Sequence, residues 1–246
     1  MLDFNHVEIK HRLKNVSGSA QAGQFVHVMG TNGSGKSSLL HSLAGLLSLD
    51  KGMVRLNRQD LQHYSLPQLA TIRCLQEQQQ QSMFALSVAE VLHFFSGQHG
   101  LPEELEQALE LKDFLPRPLN QLSGGEARRV LVARALLQVW PAIERGQALV
   151  LLDEPNQGLD FKHQHLLFQL LAQICQQNNL VIVNHHDLNL CQQYANQIWL
   201  MQKGQIVESL RSLDSISNQA LSHIFGCGIQ CAIDHTGNKI FQTYLD

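Results

Sequence analysis

Gly30-Thr31-Asn32-Gly33-Ser34-Gly35-Lys36-Ser37 satisfies G-x-x-x-x-G-K-[ST], and it stands between a segment that reads as a strand and one that reads as a helix. Ahead of it, Phe25-Val26-His27-Val28-Met29 is a continuous, largely apolar run, as found in a sheet covered on both faces. Behind it, Leu39, Leu40, Leu43, Leu46 and Leu47 recur at helical spacing and predict a helix with one apolar face. That arrangement is a phosphate cradle. Glycines let the backbone curl so that successive N–H groups of Gly30 to Gly35 point inward at phosphate oxygens. The helix N-terminus adds about half a positive charge and Lys36 a full one. Ser37 and Ser38 complete the candidate contact set, the Ser37 hydroxyl being able to ligate Mg²⁺.

Three further runs extend the pattern. Ala148-Leu149-Val150-Leu151-Leu152 ends in Asp153-Glu154. An acid closing a core strand beside a phosphate loop can hold Mg²⁺ through water, and the next acid can orient and deprotonate an attacking water. Leu180-Val181-Ile182-Val183 ends in Asn184-His185-His186-Asp187, and Gln197-Ile198-Trp199-Leu200-Met201 stops at Lys203-Gly204. Residues 80–145 are rich in helix formers, as in Pro102-Glu103-Glu104-Leu105-Glu106-Gln107-Ala108-Leu109. The expected organisation is one domain over 1–246. An α/β nucleotide-binding core spans 1–78 and 146–246, and a helical subdomain fills 79–145. The tail from Ile229 to Leu245 predicts a hairpin turning at Thr236-Gly237-Asn238, an antiparallel β element.

Composition narrows the function. Among 246 residues, 18 Lys plus Arg face 21 Asp plus Glu, a net charge of −3, which argues against a nucleic-acid binder. No apolar run approaches the roughly 18–20 residues that cross a bilayer, and Met1 to His6 lacks the features of a secretory signal. Any membrane role is therefore expected through a partner. Cys74, Cys175, Cys191, Cys227 and Cys231 have no metal-type spacing and read as reduced thiols. His163 and His165, two apart, read as a solvated helix face and not a metal site.

Leu122-Ser123-Gly124-Gly125-Glu126 precedes a helical run, with Ser123 and Glu126 spaced as a capping box. It resembles the LSGGQ signature of ATP-binding cassette (ABC) ATPases. The remaining motifs of that family follow in order. Gly30–Ser37 resembles Walker A, Asp153-Glu154 Walker B, and Gly158-Leu159-Asp160 the D-loop. Gln78, opening the run Gln78–Gln81, resembles the Q-loop residue. Either His185 or His186 could be the switch histidine; His186 is chosen because Asp187-Leu188 follows it as in the family. Departures are Glu126 for the usual Gln, His185 where Ser or Thr is commoner, and Asn156-Gln157 before Gly158. No adenine-stacking aromatic has a counterpart in Val7–Arg12.

The resemblance implies a P-loop core with a RecA-like sheet, binding ATP and Mg²⁺. Two copies would meet head to tail, each nucleotide lying between one P-loop and the partner's Ser123, Gly124 and Gly125, with Asp160 organising the opposing site. Ser37, Gln78 and Asp153 would surround Mg²⁺; Glu154 would act as general base and His186 would position it and the γ-phosphate. The expected setting is the cytoplasmic face of the inner membrane, as a peripheral homodimer on two polytopic permease subunits, served indirectly by a periplasmic substrate-binding protein. Importers of metal chelates match best, with cobalamin (vitamin B12) ahead of haem or iron-siderophores. Met83, Phe84, Leu86, Val88, Phe94 and Phe95 are the apolar residues from which a permease contact or the lobe's own core would be drawn. A ribosome- or DNA-acting ABC ATPase would carry two cassettes or long heptad runs, and a generic kinase or GTPase would lack the signature.

Overall fold

The computed structural model describes residues 1–77, 86–96, 100–235, 237 and 239–244. The chain opens with β1 (Leu2–Ile9) and β2 (Leu13–Ala20), an antiparallel pair burying Leu2, Phe4, Val7, Leu13, Val16 and Ala20. β3 (Phe25–Met29) then leads through the glycine-rich turn into α1 (Lys36–Leu43). β4 (Lys51–Leu56) and β5 (Gln59–Asp60) complete a four-stranded antiparallel sheet in the order β2-β1-β4-β5. The leucine pattern predicted a longer α1. The helix stops before Gly45, whose φ of +71° breaks the helical path, and leaves Leu46 half exposed in the following turn.

α2 (Leu66–Ile72) starts at a Ser65–Gln68 capping box and delivers β6 (Arg73–Gln76). The middle of the chain is helical: α3 (Val88–Ser96), α4 (Glu103–Leu109), α5 (Gly124–Gln138) and α6 (Trp140–Glu144). β7 (Leu149–Asp153), α7 (Phe161–Gln176), β8 (Leu180–Asn184), α8 (Leu188–Tyr194), β9 (Gln197–Gln202) and β10 (Gln205–Leu210) follow. α9 (Asn218–Phe225) and the hairpin of β11 (Gly228–Ile233) with β12 (Lys239–Tyr244) close the chain. The hairpin lies where the tail's pattern placed it, although Thr236, Asn238 and Leu245 lie outside the described residues.

The main sheet runs β10-β9-β3-β8-β7-β6, parallel except for the β10 edge. Its buried runs are continuous because both faces are covered. One face packs Phe25, Val150, Leu152, Val181 and Val183 against α5, α7 and the middle helices. The other packs Val26, Val28, Leu149, Leu151 and Ile182 against α1 and the antiparallel sheet. Register then fixes the site. Val28 of β3 and Asp153 of β7 both stand opposite Asn184 of β8, so the carboxyl ends of three neighbouring strands open onto one crevice.

Asn179 holds this frame at the opposite end of the strands. Fully buried, it donates to the carbonyls of Ile143 (2.9 Å) and Ile174 (3.0 Å) and accepts from the Ala148 N–H (2.9 Å). Asn179→Ala strands those groups without water, and denaturant melts should show a loss of about 3 kcal/mol.

Candidate active site

The turn after β3 is left-handed at Gly30, Gly33 and Gly35, with φ of 147°, 75° and 105°. At Gly30 a Cβ would stand 2.2 Å from the Met201 carbonyl oxygen, so only glycine lets the loop leave the strand there. Gly35 caps α1 with no side-chain hydrogen bond, which leaves the first helical N–H groups for a ligand. Lys36 is largely buried and folds back on its own loop, donating to the carbonyls of Gly30 (2.8 Å) and Thr31 (3.0 Å). Burial lowers its pKa, while Glu154 and Asp153 nearby pull it up again.

A cleft of about 590 Å³ brings Asn32, Gly33 and Gly35–Ser38 together with Glu154, Gln157 and His186, and with His11 and Arg12 from the turn between β1 and β2. Glu154 takes a positive φ of 49° as the chain leaves β7. Its N–H donates to both the backbone oxygen (3.1 Å) and the Oδ1 (2.7 Å) of Asn184. Its Oε1 lies 2.8 Å from Nε2 of His186. Asp153 is buried, and its Oδ1 has no hydrogen-bond partner among the described residues, nor has the buried Ser34 Oγ in the loop. A bare carboxylate oxygen beside the cradle is a poor structural element and a good cation ligand. The donor set therefore fits Mg²⁺, with Asp153 and Ser37 to hold it. Gln78, the third expected ligand, lies outside the described residues. Its neighbour Glu77 accepts from His41 (2.8 Å), whose other ring nitrogen meets the Ser37 carbonyl (2.7 Å).

The two adjacent histidines separate. His186 faces the cleft; His185 is buried with its Nε2 2.8 Å from Nδ1 of His27. Burial, reinforced by the charges of His186 and Lys36, pushes His185 down to about 3. Burial likewise takes His27 well below its ordinary value.

Ser123, Gly124, Gly125 and Asp160 do not line this cleft. Ser123 caps α5 in a complete capping box: its N–H donates to Glu126 Oε2 (2.7 Å) and its Oγ accepts from the Glu126 N–H (3.3 Å). The Arg117 guanidinium (2.8 Å), then these Ser123 contacts, hold Glu126 at about 2. A Cβ on Gly125 would lie 2.7 Å from the Gly158 carbonyl, so the signature and D-loop turns touch. Asp160 caps α7 through the His163 N–H (2.8 Å). His163 corrects the expectation of a solvated face. It is buried, with Nδ1 2.8 Å from Asp160, and Nε2 2.9 Å from Arg129 and 3.1 Å from Glu110, because α4 and α5 pack over the start of α7. His165 is exposed as expected, and no metal-type cluster exists among the described residues.

Of the apolar residues from 83 to 95, Met83 and Phe84 lie outside the described residues. Val88 and Phe95 pack in the lobe core, while Leu86 and Phe94 are exposed. Sequence reading missed His11, Arg12, Gln157 and Arg128. Arg128 reaches from α5 to the Glu77 carbonyl and to Gln157 Oε1, both at 3.4 Å. Its only signal was a second arginine beside Arg129 in the first half of a helix whose next four residues are apolar.

Cradle, strand-end acids and capped signature helix on one parallel sheet define a P-loop ATPase cassette. The ABC transporter family model matches residues 13–157, and the chain belongs to that family. It is 37% identical to the vitamin B12 import ATP-binding protein BtuD of Yersinia pseudotuberculosis serotype I (strain IP32953), over 97% of this chain and 96% of that protein. It is 36% identical to the protein of the same name from Escherichia coli O157:H7 (strain EC4115 / EHEC), over 98% of this chain and 97% of that one. The fold matches a dimeric ATP-binding cassette in a post-hydrolysis state with ADP and phosphate (TM-score 0.71, 24% identity, 86% of this chain and 98% of that one). It also matches the ATP-binding subunit of an ABC transporter (TM-score 0.74, 19% identity, 92% and 95% covered).

The buried histidine pair sets a pH dependence. Both rings are held neutral in the fold but take a proton near 6.5 once unfolded, so the unfolded state binds more protons below that pH. Stability should be intact above about pH 6.5 and fall toward pH 5 by about 1.4 kcal/mol per unit for each ring. Denaturant midpoints across pH 5–8 test this; a flat profile there would show charged rings in the fold.

Proposed function

We propose that this chain is the ATP-hydrolysing subunit of an importer whose cargo is vitamin B12. The observation that carries the hydrolytic reading is the Glu154–His186 contact of 2.8 Å, facing the same cleft as Lys36 and the loop amides. The cargo rests on relatives named for vitamin B12 import that align over 97% and 98% of the chain.

In this reading ATP's β- and γ-phosphates draw Lys36 off the Gly30 and Thr31 carbonyls and take the N–H groups of residues 30–38. Ser37, Asp153 and Gln78 would hold Mg²⁺, which neutralises phosphate charge. Glu154 accepts the proton of the attacking water as general base, and His186 holds both that carboxylate and the γ-phosphate. His11 and Arg12 take the nucleoside side of the cleft in place of an aromatic. Ser123 and Gly124 are exposed and lie outside the lining of their own cleft, which suits completion of a second copy's site. Asp160 ends the loop between β7 and α7, whose Gly158 lies against Gly125, and serves that interface. Two polytopic permease subunits dock on the helical lobe, where Leu86 and Phe94 offer apolar surface. A periplasmic binding protein supplies the cargo from the other side. The homodimer then sits peripherally on the cytoplasmic face of the inner membrane, consistent with no helix among the described residues being long and apolar enough to cross it.

Glu154→Gln should still bind ATP, lose turnover by roughly 10²- to 10⁴-fold, and elute as an ATP-dependent dimer in size-exclusion chromatography. Wild-type turnover in that variant, or a monomer with turnover blocked, would overturn the assignment. Uptake of cobalamin, haem and a ferric siderophore into vesicles carrying the chain and its permease decides the cargo; cobalamin is the expected one.

A further inference from the structure

We infer that His185, braced by His27, is a positioning residue that fixes the turn aiming His186 at Glu154. The inference rests on the hydrolytic reading of Glu154 and His186 but concerns two residues that reading leaves unused.

Hydrogen bonding settles the tautomers. The Asp187 N–H donates to Nδ1 of His185 at 3.1 Å, so the ring's proton is on Nε2. That N–H donates to Nδ1 of His27 at 2.8 Å, which leaves the His27 proton on its own Nε2. The His27 Nε2 is buried and has no partner among the described residues. Two charged rings could not share such a bond, and Lys36 adds its positive field at His185. The pair therefore acts as a neutral, directional link.

The link is rigidly seated. The His185 ring stands edge-on to Phe168 at 5.3 Å, and His27 lies 4.4 Å from Phe25 and 5.6 Å from Phe168. His27 belongs to β3, three residues before Gly30, whereas His185 begins the turn between β8 and α8. One hydrogen bond thus ties the strand that carries the P-loop to the turn that carries His186. On the far side Asp187 caps α8, accepting from the N–H groups of Asn189 (2.8 Å) and Leu190 (3.0 Å). His186 is held between two fixed neighbours. Two apolar side chains would fill this core without leaving a buried N–H unpaired, and retention of the costlier polar pair fits a directional task.

The test uses the full chain with Mg-ATP. His185→Ala should lower kcat roughly 10- to 100-fold, the scale of a small misplacement at a reacting centre, with ATP affinity within about twofold of the unsubstituted chain. His185→Asn, whose Oδ1 can accept from the N–H two residues on, should recover most of that loss. His27→Ala combined with His185→Ala should lower kcat no further than His185→Ala alone. Independently, ¹⁵N NMR of the unsubstituted protein should find His185 as the neutral Nε2–H tautomer from pH 5 to 8, a measurement that stands even where His185→Ala does not fold. An Nδ1–H tautomer, a titration near 6.5, unchanged kcat in His185→Ala, or no recovery in His185→Asn would each overturn the inference. Inactivity of the unsubstituted chain overturns the hydrolytic reading instead. Full activity of His185→Ala beside an inactive Glu154→Gln overturns only the positioning role.

Discussion

The site depends on how β3 ends. A strand buried on both faces must turn within a few residues into a helix whose first N–H groups stay unsatisfied, and it must do so against the Met201 carbonyl. Gly30 makes the approach possible and Gly35 leaves the helix start uncapped. Two of the loop's carbonyls are satisfied internally: Lys36 lies on those of Gly30 and Thr31. A cradle of donors with its cation parked on its own backbone is a stable protein surface that still favours an anion over water.

Neighbouring strands convert that loop into a site. Because β7 and β8 are parallel to β3 and in register, Asp153, Glu154 and the 185–187 turn emerge beside the cradle without any long loop to order. Asn184 is the common hinge. It accepts the Glu154 N–H twice, by main chain and side chain, at the residue where the backbone turns left-handed. The sheet thereby fixes the backbone of the acid, and His186 in the cleft meets its carboxylate.

Legibility in the sequence followed the range of the interactions involved. The glycine-rich loop, the strand-end acids and the Ser123–Glu126 box are set by residues a few positions apart, and each was readable. β1 and β2 were not. Their apolar residues fall at Leu2, Phe4, Val7 and at Leu13, Val16, Ala20, because register shifts between Phe4 and Ile9 break the alternation of a strand. Positive φ at His6 and Asn15 accompanies those shifts; both residue types tolerate it better than most, but neither alone marks a break in a strand. His163 and Arg128 escaped for another reason. Beyond the local contact of His163 to Asp160, the bonds of His163 to Arg129 and Glu110 span 34 and 53 positions and those of Arg128 to Gln157 and Glu77 span 29 and 51, so burial came from the packing of the helical lobe. Gly45 shortened α1 although the leucine spacing continued, a case of backbone overriding periodicity.

Glu126 poses the sharpest electrostatic question at the signature. An unpaired carboxylate in the first turn of a helix cancels the positive end of its dipole. Here the charge is already committed: the capping box takes one oxygen to the Ser123 N–H, and Arg117 reaches both oxygens, at 2.8 and 3.4 Å. The low pKa that results means the carboxylate stays ionised, but as half of an ion pair whose net charge is zero. What remains exposed at Ser123 and Gly124 is the positive end of a fifteen-residue helix. Glu126 and Arg117, nine residues earlier, therefore form one electrostatic unit at the start of α5.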